Sequence, residues 1–129
     1  MLQPQEVVVG KFLPAVRARV AQILLEDHHL RQVEIARLLG LTQAAVSHYH
    51  TRSRGLDKDV LKRFPELEAF AQDIAARIQK GLPLPAQIAA FNAMAETLSK
   101  TDRFCQYHKK IASLDETCDV CFESTPKIR

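Results

Sequence analysis

Apolar side chains recur every three or four residues along most of the chain, which is the period of amphipathic α-helices. A first helix is predicted over Pro14–Glu26, because proline fits a first helical turn and polar residues follow Glu26. A short second helix ends at Gly40, since glycine readily adopts the positive φ of a helix C-terminus. Thr42 is a suitable N-cap for a third helix that runs to about His50.

Two longer helices are predicted in the second half of the chain. The first begins near Pro65 and stops at Gly81. The second follows a proline-containing loop, and its apolar stripe consists of Ile88, Phe91, Ala95 and Leu98. The run Val7–Val9 is the single stretch that could form a strand. From Thr101 the helical stripe weakens and ligand-type side chains become frequent, so a separate small module is expected there.

These patterns predict an all-α fold with three parts. Residues 1–63 form a helix-turn-helix domain, residues 64–100 a helical linker or dimerisation segment, and residues 101–129 a Cys/His metal-binding tail. The chain has 129 residues, 47% of them apolar, and this size suits one globular unit that buries a core without disulfide bonds.

Charge and hydropathy narrow the class of protein. Residues 1–63 hold ten Lys and Arg against six Asp and Glu, whereas residues 64–129 hold eight against nine, so the net charge of +3 comes from the N-terminal half. Residues 35–56 contain no acidic residue, which suits a polyanionic partner. No apolar run approaches the roughly eighteen residues of a membrane span, and the N-terminus lacks the features of a secretory signal, so we expect a cytoplasmic protein.

The segment QVEIARLLGLTQAAVSHYH, from Gln32 to His50, has the spacing of two helices joined by a tight turn. Ala36 lies where the helices cross and has to be small, and Gly40 turns the chain. The shared apolar interface consists of Ile35, Leu39, Leu41, Val46 and Tyr49. The outer face of the second helix consists of Gln43, Ala44, Ser47 and His48. A helix-turn-helix protein lays this face in the major groove of DNA.

The segment QVEIARLLGLTQAAVSHYHTRSRG resembles the lambda-repressor-like, or XRE-type, DNA-binding domain. Together with the preceding LPAVRARVAQILLE, it is similar to a family of predicted archaeal and bacterial transcriptional regulators. In that family a helical segment and a short cysteine-rich tail follow the N-terminal domain. The resemblance implies that Gln43, Ala44, Ser47 and His48 read base edges. Their chemistry agrees, since glutamine can bridge adenine N6 and N7 and an alanine methyl can contact a thymine methyl.

A second set of residues is expected beside phosphate oxygens, at helix ends and in the following loop. This set consists of Arg31, Gln32, Thr42, Arg52 and Arg54. Arg31 occupies an N-cap position where the family usually has Ser or Thr, so a weak cap is predicted there. One recognition helix buries too little surface for tight specific binding, and we therefore expect a homodimer on palindromic double-stranded DNA.

The tail holds two pairs of metal-ligand residues. Cys105 and His108 form C-x2-H, Cys118 and Cys121 form C-x2-C, and nine residues separate the two pairs. Two such pairs supply the four ligands of a tetrahedral Zn²⁺ site, which is the first choice. They also suit one iron–sulfur cluster, and spacing alone does not choose between the two. Members of the family often carry a further cysteine pair upstream, but Phe91–Lys100 has none, which limits the chain to one site.

Two other functions fit parts of the sequence. A thiol–disulfide or metal-transfer protein would use Cys118 and Cys121, with the helices as a scaffold. An adaptor would bind a further protein partner through the middle helices and the tail. No nucleophile–base pair or phosphate loop is visible, so an enzyme is not expected. DNA-binding transcription control is the primary prediction.

Overall fold

The computed structural model describes residues 2–52 and 58–113 of the chain. The elements are α1 (Pro4–Val7), a π-helical turn (Val8–Phe12), α2 (Leu13–Glu26), α3 (Gln32–Leu39), α4 (Gln43–Arg52), α5 (Lys58–Arg63), α6 (Pro65–Gln79), α7 (Leu84–Ser99) and α8 (Asp102–Ala112). Every regular element within these ranges is helical, so the predicted all-α class is confirmed. No helix in the described ranges is long and apolar enough to cross a membrane.

The N-terminal segment is helical, and the strand considered for Val7–Val9 is wrong. Val7 is buried in the core, so packing overrides the β-propensity of a valine run. The π-helical turn precedes Pro14, which has no N–H to donate to the carbonyl four residues back, at Gly10. Phe12, at the end of this turn, is buried, and the segment is therefore anchored to the rest of the fold.

The predicted helix ends agree with the structure. The first predicted helix ends at Glu26 as expected, and α6 begins at Pro65. Gly40 has a φ of 65° and Gly81 a φ of 109°, so both glycines adopt the left-handed backbone that a helix stop requires.

The core lies between α2 and α6, which are the most extensively packed pair of helices. Their fully buried side chains include Val16, Val20, Ile23, Leu24, Leu67, Ile74 and Ile78. At the edge of this contact, Arg19 Nη2 donates to Glu68 Oε1 at 2.8 Å and Arg19 Nε donates to Glu68 Oε2 at 2.8 Å. The Arg19 hydrogen bonds hold the pKa of the Glu68 carboxyl below its ordinary value.

Residues 101–113 continue the helical fold, so the weaker helical pattern expected from Thr101 does not apply to α8 (Asp102–Ala112). Thr101 Oγ1 caps α8 by accepting from the Phe104 N–H at 3.3 Å. The Phe104 ring meets the Phe12 ring edge-on at a centroid distance of 5.4 Å. Tyr107 meets Phe64 edge-on at 5.6 Å. The described part of the tail therefore packs into the same core as the N-terminal helices.

Candidate nucleic-acid interface

The connection between α3 and α4 is a three-residue turn, Gly40 to Thr42. The Leu41 N–H donates to the Ala36 carbonyl at 2.8 Å, and the Gly40 N–H donates to the Arg37 carbonyl at 3.4 Å. A Cβ at Gly40 would lie 2.8 Å from Leu84 Cδ2 on α7, besides requiring a strained φ. Glycine is therefore needed at this turn for its backbone conformation, whereas the partly exposed Leu84 side chain could move aside.

The two helices begin differently. The N-cap of α4 is made by Thr42, whose Oγ1 accepts from the Ala45 N–H at 3.1 Å, as predicted. At α3, Arg31 occupies the N-cap and makes no side-chain cap, which confirms the expected weakness there. Arg31 is exposed and its Nε lies 3.3 Å from Glu34 Oε1. A DNA phosphate at Arg31 would therefore compete with this carboxylate.

The apolar and polar faces of the helix pair are separated. The side chains of Ile35, Ala36 and Val46 are buried, while Leu39, Leu41 and Tyr49 are half-buried. On the outer face of α4, Gln43, Ala44 and His48 are exposed and Ser47 is half-buried. The structure thus brings the four residues expected to read bases onto the solvent side of one helix.

The structure describes the side chains of three of the five residues expected near phosphates, namely Arg31, Gln32 and Thr42. Thr42 is exposed and Gln32 is half-buried, each at the start of a helix. The side chain of Arg52 and all of Arg54 lie outside the described residues. Arg37 is a further exposed cation on α3 that was not among the residues expected near phosphates. Its place within the acid-free stretch of residues 35–56 was the signal that could have found it.

The Cys/His pair of α8 is buried rather than exposed. Cys105 and His108 lie three residues apart on the helix and are 1% and 3% exposed. The His108 Nε2 lies 2.8 Å from the Leu2 carbonyl oxygen, and it donates because a carbonyl can only accept. In neutral His108 the lone pair is then on Nδ1. A metal-binding histidine has this arrangement, with one ring nitrogen bonded to a carbonyl, and so does a buried histidine with a purely structural role.

The described residues supply half of the expected metal site. Cys118 and Cys121 lie outside the described residues. Within residues 2–52 and 58–113, no group of three or more His, Cys, Asp or Glu side chains is placed to hold a metal ion. The donor chemistry of Cys105 and His108 fits zinc or an iron–sulfur cluster, and the complete four-ligand site stays a prediction.

One polar residue that the sequence reasoning missed connects the interface to α7. Gln87 is buried, and its Nε2 donates to the Leu38 carbonyl at 2.8 Å and to the Leu82 carbonyl at 3.0 Å. Leu38 lies in the last turn of α3, so Gln87 ties α7 to the helix that precedes the turn. A single glutamine among the alanines of α7 was the available signal.

A groove of about 1130 Å³ lies beside this connection, and we call it the α7 groove. Its apolar walls come from the N-terminal segment, from α7 and from the α3–α4 turn. They include Val9, Leu39, Leu41, Leu84, Ile88 and Phe91. The groove therefore shares Leu39 and Leu41 with the α3–α4 helix pair.

No protein-family model, curated protein or solved structure matches this chain. Its function is therefore inferred from its own residues and their geometry.

Proposed function

We propose that the protein is a sequence-specific DNA-binding transcriptional regulator that places α4 in the major groove. The observation that carries this proposal is the exposure of Gln43, Ala44 and His48 on a helix whose opposite side is buried. Side chains that the fold does not use for packing are available to a partner. A glutamine and an alanine methyl are suited to adenine and thymine edges.

The charges around α4 favour an anionic partner, and a nucleic acid is one. The first turn of α4 carries no acidic residue, so its positive helix end is open to a phosphate. The nearest preceding acid, Glu34, is paired with Arg31. Arg37 adds an exposed cation on the neighbouring helix. DNA affinity should therefore fall steeply as salt concentration rises.

The test begins with selection of the preferred duplex from a random pool. Gln43→Ala should then weaken binding to that duplex by about 1–3 kcal/mol, or roughly 5- to 150-fold, because a bidentate base contact is lost. Binding to unrelated duplexes should hardly change. Gln79→Ala, which removes an exposed glutamine of α6, is the matched control. An equal loss on every duplex, or a pool from which no sequence emerges, would contradict base reading by α4.

We propose further that the regulator acts as a cytoplasmic homodimer and carries a structural or sensory Cys3His site for zinc or an iron–sulfur cluster. Cys105, His108, Cys118 and Cys121 would be its ligands. The alternative of a thiol–disulfide protein rests on Cys118 and Cys121, which lie outside the described residues.

Protein purified without oxygen tests the metal site. Metal analysis should find one zinc ion or an iron–sulfur cluster, and Cys118→Ser or Cys121→Ser should each remove it. Cys105→Ser should do the same if α8 supplies a ligand. Protein without zinc or iron that still binds its selected duplex would overturn the metal site and leave the DNA-binding proposal intact.

A further inference from the structure

We infer that the α7 groove is the surface on which a second copy of this chain docks. The inference deepens the proposed function and rests on it, since two-fold recognition of a palindrome needs two α4 helices in one assembly. The occupant is assigned from the apolar character of the groove, from its charges and from its position beside the α3–α4 turn.

The groove concentrates the exposed apolar surface of the described residues. Their exposed large hydrophobic side chains are Val9 (63%), Val33 (60%), Leu84 (40%) and Ile88 (62%). Val9, Leu84 and Ile88 all line the groove. A contiguous apolar patch of this kind marks an interaction site, whereas a single exposed residue such as Val33 does not.

Eight of the sixteen residues of α7, the helix that forms one wall, are exposed. Glu96 is the single charged residue of α7, and Gln87 and Leu98 are its buried residues. A largely apolar helix of this length is ordinarily covered by other helices. Val9 on the π-helical turn and Ile88 on α7 both line the groove. Side chains of a second copy can therefore pack between these two elements.

The charges of the groove are self-complementary. Arg17 and Lys100 line it together with Glu96, and no salt bridge among the described residues includes any of the three. In a two-fold interface the same patch meets itself, so Glu96 of each copy can face Arg17 or Lys100 of the other. A patch with both signs of charge suits a second copy better than a purely apolar small molecule.

The position of the groove allows dimerisation and DNA binding together. Leu39 and Leu41 of the turn region line it, whereas Gln43, Ala44, Ser47 and His48 of the outer face of α4 do not. A second copy bound in the groove would contact Leu39 and Leu41 and leave the outer face of α4 uncovered. It would also hold the two α4 helices at one separation.

Sedimentation of the full chain without DNA, over protein concentrations from about 1 to 100 μM, tests the inference. The native chain should dimerise reversibly. Ile88→Glu should weaken association by at least about 30-fold, because a charge replaces an interface anchor. Val33→Glu, at an equally exposed position outside the groove, should dimerise like the native chain. Circular dichroism should confirm that both variants remain helical.

A charge exchange provides an independent test. Glu96→Lys alone and the Arg17→Glu, Lys100→Glu double variant alone should associate weakly, because like charges face each other. An equimolar mixture should form a heterodimer. If the mixture associates no better than either variant alone, the reciprocal pairing is wrong.

Three outcomes would overturn the inference. They are a native chain that stays monomeric throughout, a dimer that persists in Ile88→Glu, and a monomer whose groove binds an apolar fluorescent dye that Ile88→Glu releases. The last outcome would indicate a small-molecule site. Failure of the proposed function gives a different result. Gln43→Ala should leave the dimer intact. A native dimer that selects no duplex would refute DNA reading and leave the docking surface standing.

Discussion

Two helices, α4 and α8, carry residues that the sequence singled out for function, and the fold buries one set and exposes the other. On α4, Gln43 and His48 are exposed and take no part in the core. On α8, Cys105 and His108 are buried, and the His108 ring stacks on the Phe104 ring at a centroid distance of 6.3 Å. The α4 side chains can thus be changed with little effect on folding. Those of α8 contribute to stability whether or not they bind a metal.

The largest change in stability is expected in the aromatic cluster that packs α8 against the fold. Its members are Phe12, Phe64, Phe104 and Tyr107. Phe104→Ala removes a fully buried ring in contact with Phe12, which should lower the free energy of unfolding by about 3–5 kcal/mol. Denaturant titration followed by circular dichroism should show one shifted transition for the whole helical fold. Phe70→Ala, at a half-buried ring that meets Phe91 at 5.2 Å, should cost less. An unshifted main transition in Phe104→Ala would mean that α8 folds apart from the other helices.

Two histidine variants compare α4 and α8 directly. His108→Ala leaves the Leu2 carbonyl without its buried donor and should cost about 1–3 kcal/mol of stability. His48→Ala changes an exposed side chain and should alter stability by less than about 0.5 kcal/mol. Urea titrations of both variants check this difference. Equal losses would remove the distinction between the two helices.

Two glycine variants test the turn that orients α4. Gly40→Ala should destabilise by about 1–2 kcal/mol, because alanine is strained at a φ of 65° and its Cβ meets Leu84. Gly10→Ala is the matched control, since a Cβ there meets nothing within 4 Å. It should be neutral or slightly stabilising in a helical segment. The melting temperature should therefore fall in Gly40→Ala, and it should stay the same or rise slightly in Gly10→Ala.

The smallest effect concerns the α2–α6 contact that supports both regions. The Arg19 hydrogen bonds lower the pKa of Glu68 in the folded chain. The ion pair therefore stabilises the fold fully above pH about 4.5, the ordinary pKa of a glutamate. This stabilisation is lost as the pH falls through the lower pKa of Glu68 in the folded state. Glu68→Gln should cost at most about 1 kcal/mol at neutral pH, because the pair is partly exposed.

The stabilities of the native chain and of Glu68→Gln should converge in strong acid. Glu66→Gln, whose partner Arg103 is more exposed than Arg19, should cost less at neutral pH. If the free energies of unfolding of the native chain and of Glu68→Gln differ by the same amount at every pH, the ion pair is not the cause of that difference.

The two regions also differ in how far they could be foreseen. The outer face of α4 follows from helical period once Thr42 and Gly40 mark the turn, so its residues were predictable. The tail gave its ligand spacing but not the burial of Cys105, since the apolar positions Phe104, Tyr107 and Ile111 of α8 were overlooked. Cys118 and Cys121, the other two expected ligands besides His108, lie outside the described residues.

The sequence by itself determined the helical class and the helix ends at Gly40, Pro65 and Gly81, because caps, turns and proline act on the adjacent backbone. Only the tertiary structure decided that Val7–Val9 is helical, that α8 joins the core and that α7 keeps an open groove. Each of these depends on contacts between residues far apart in the chain. Local propensity is too weak to predict such contacts, because burial against a distant partner contributes more free energy than the preference of a single residue.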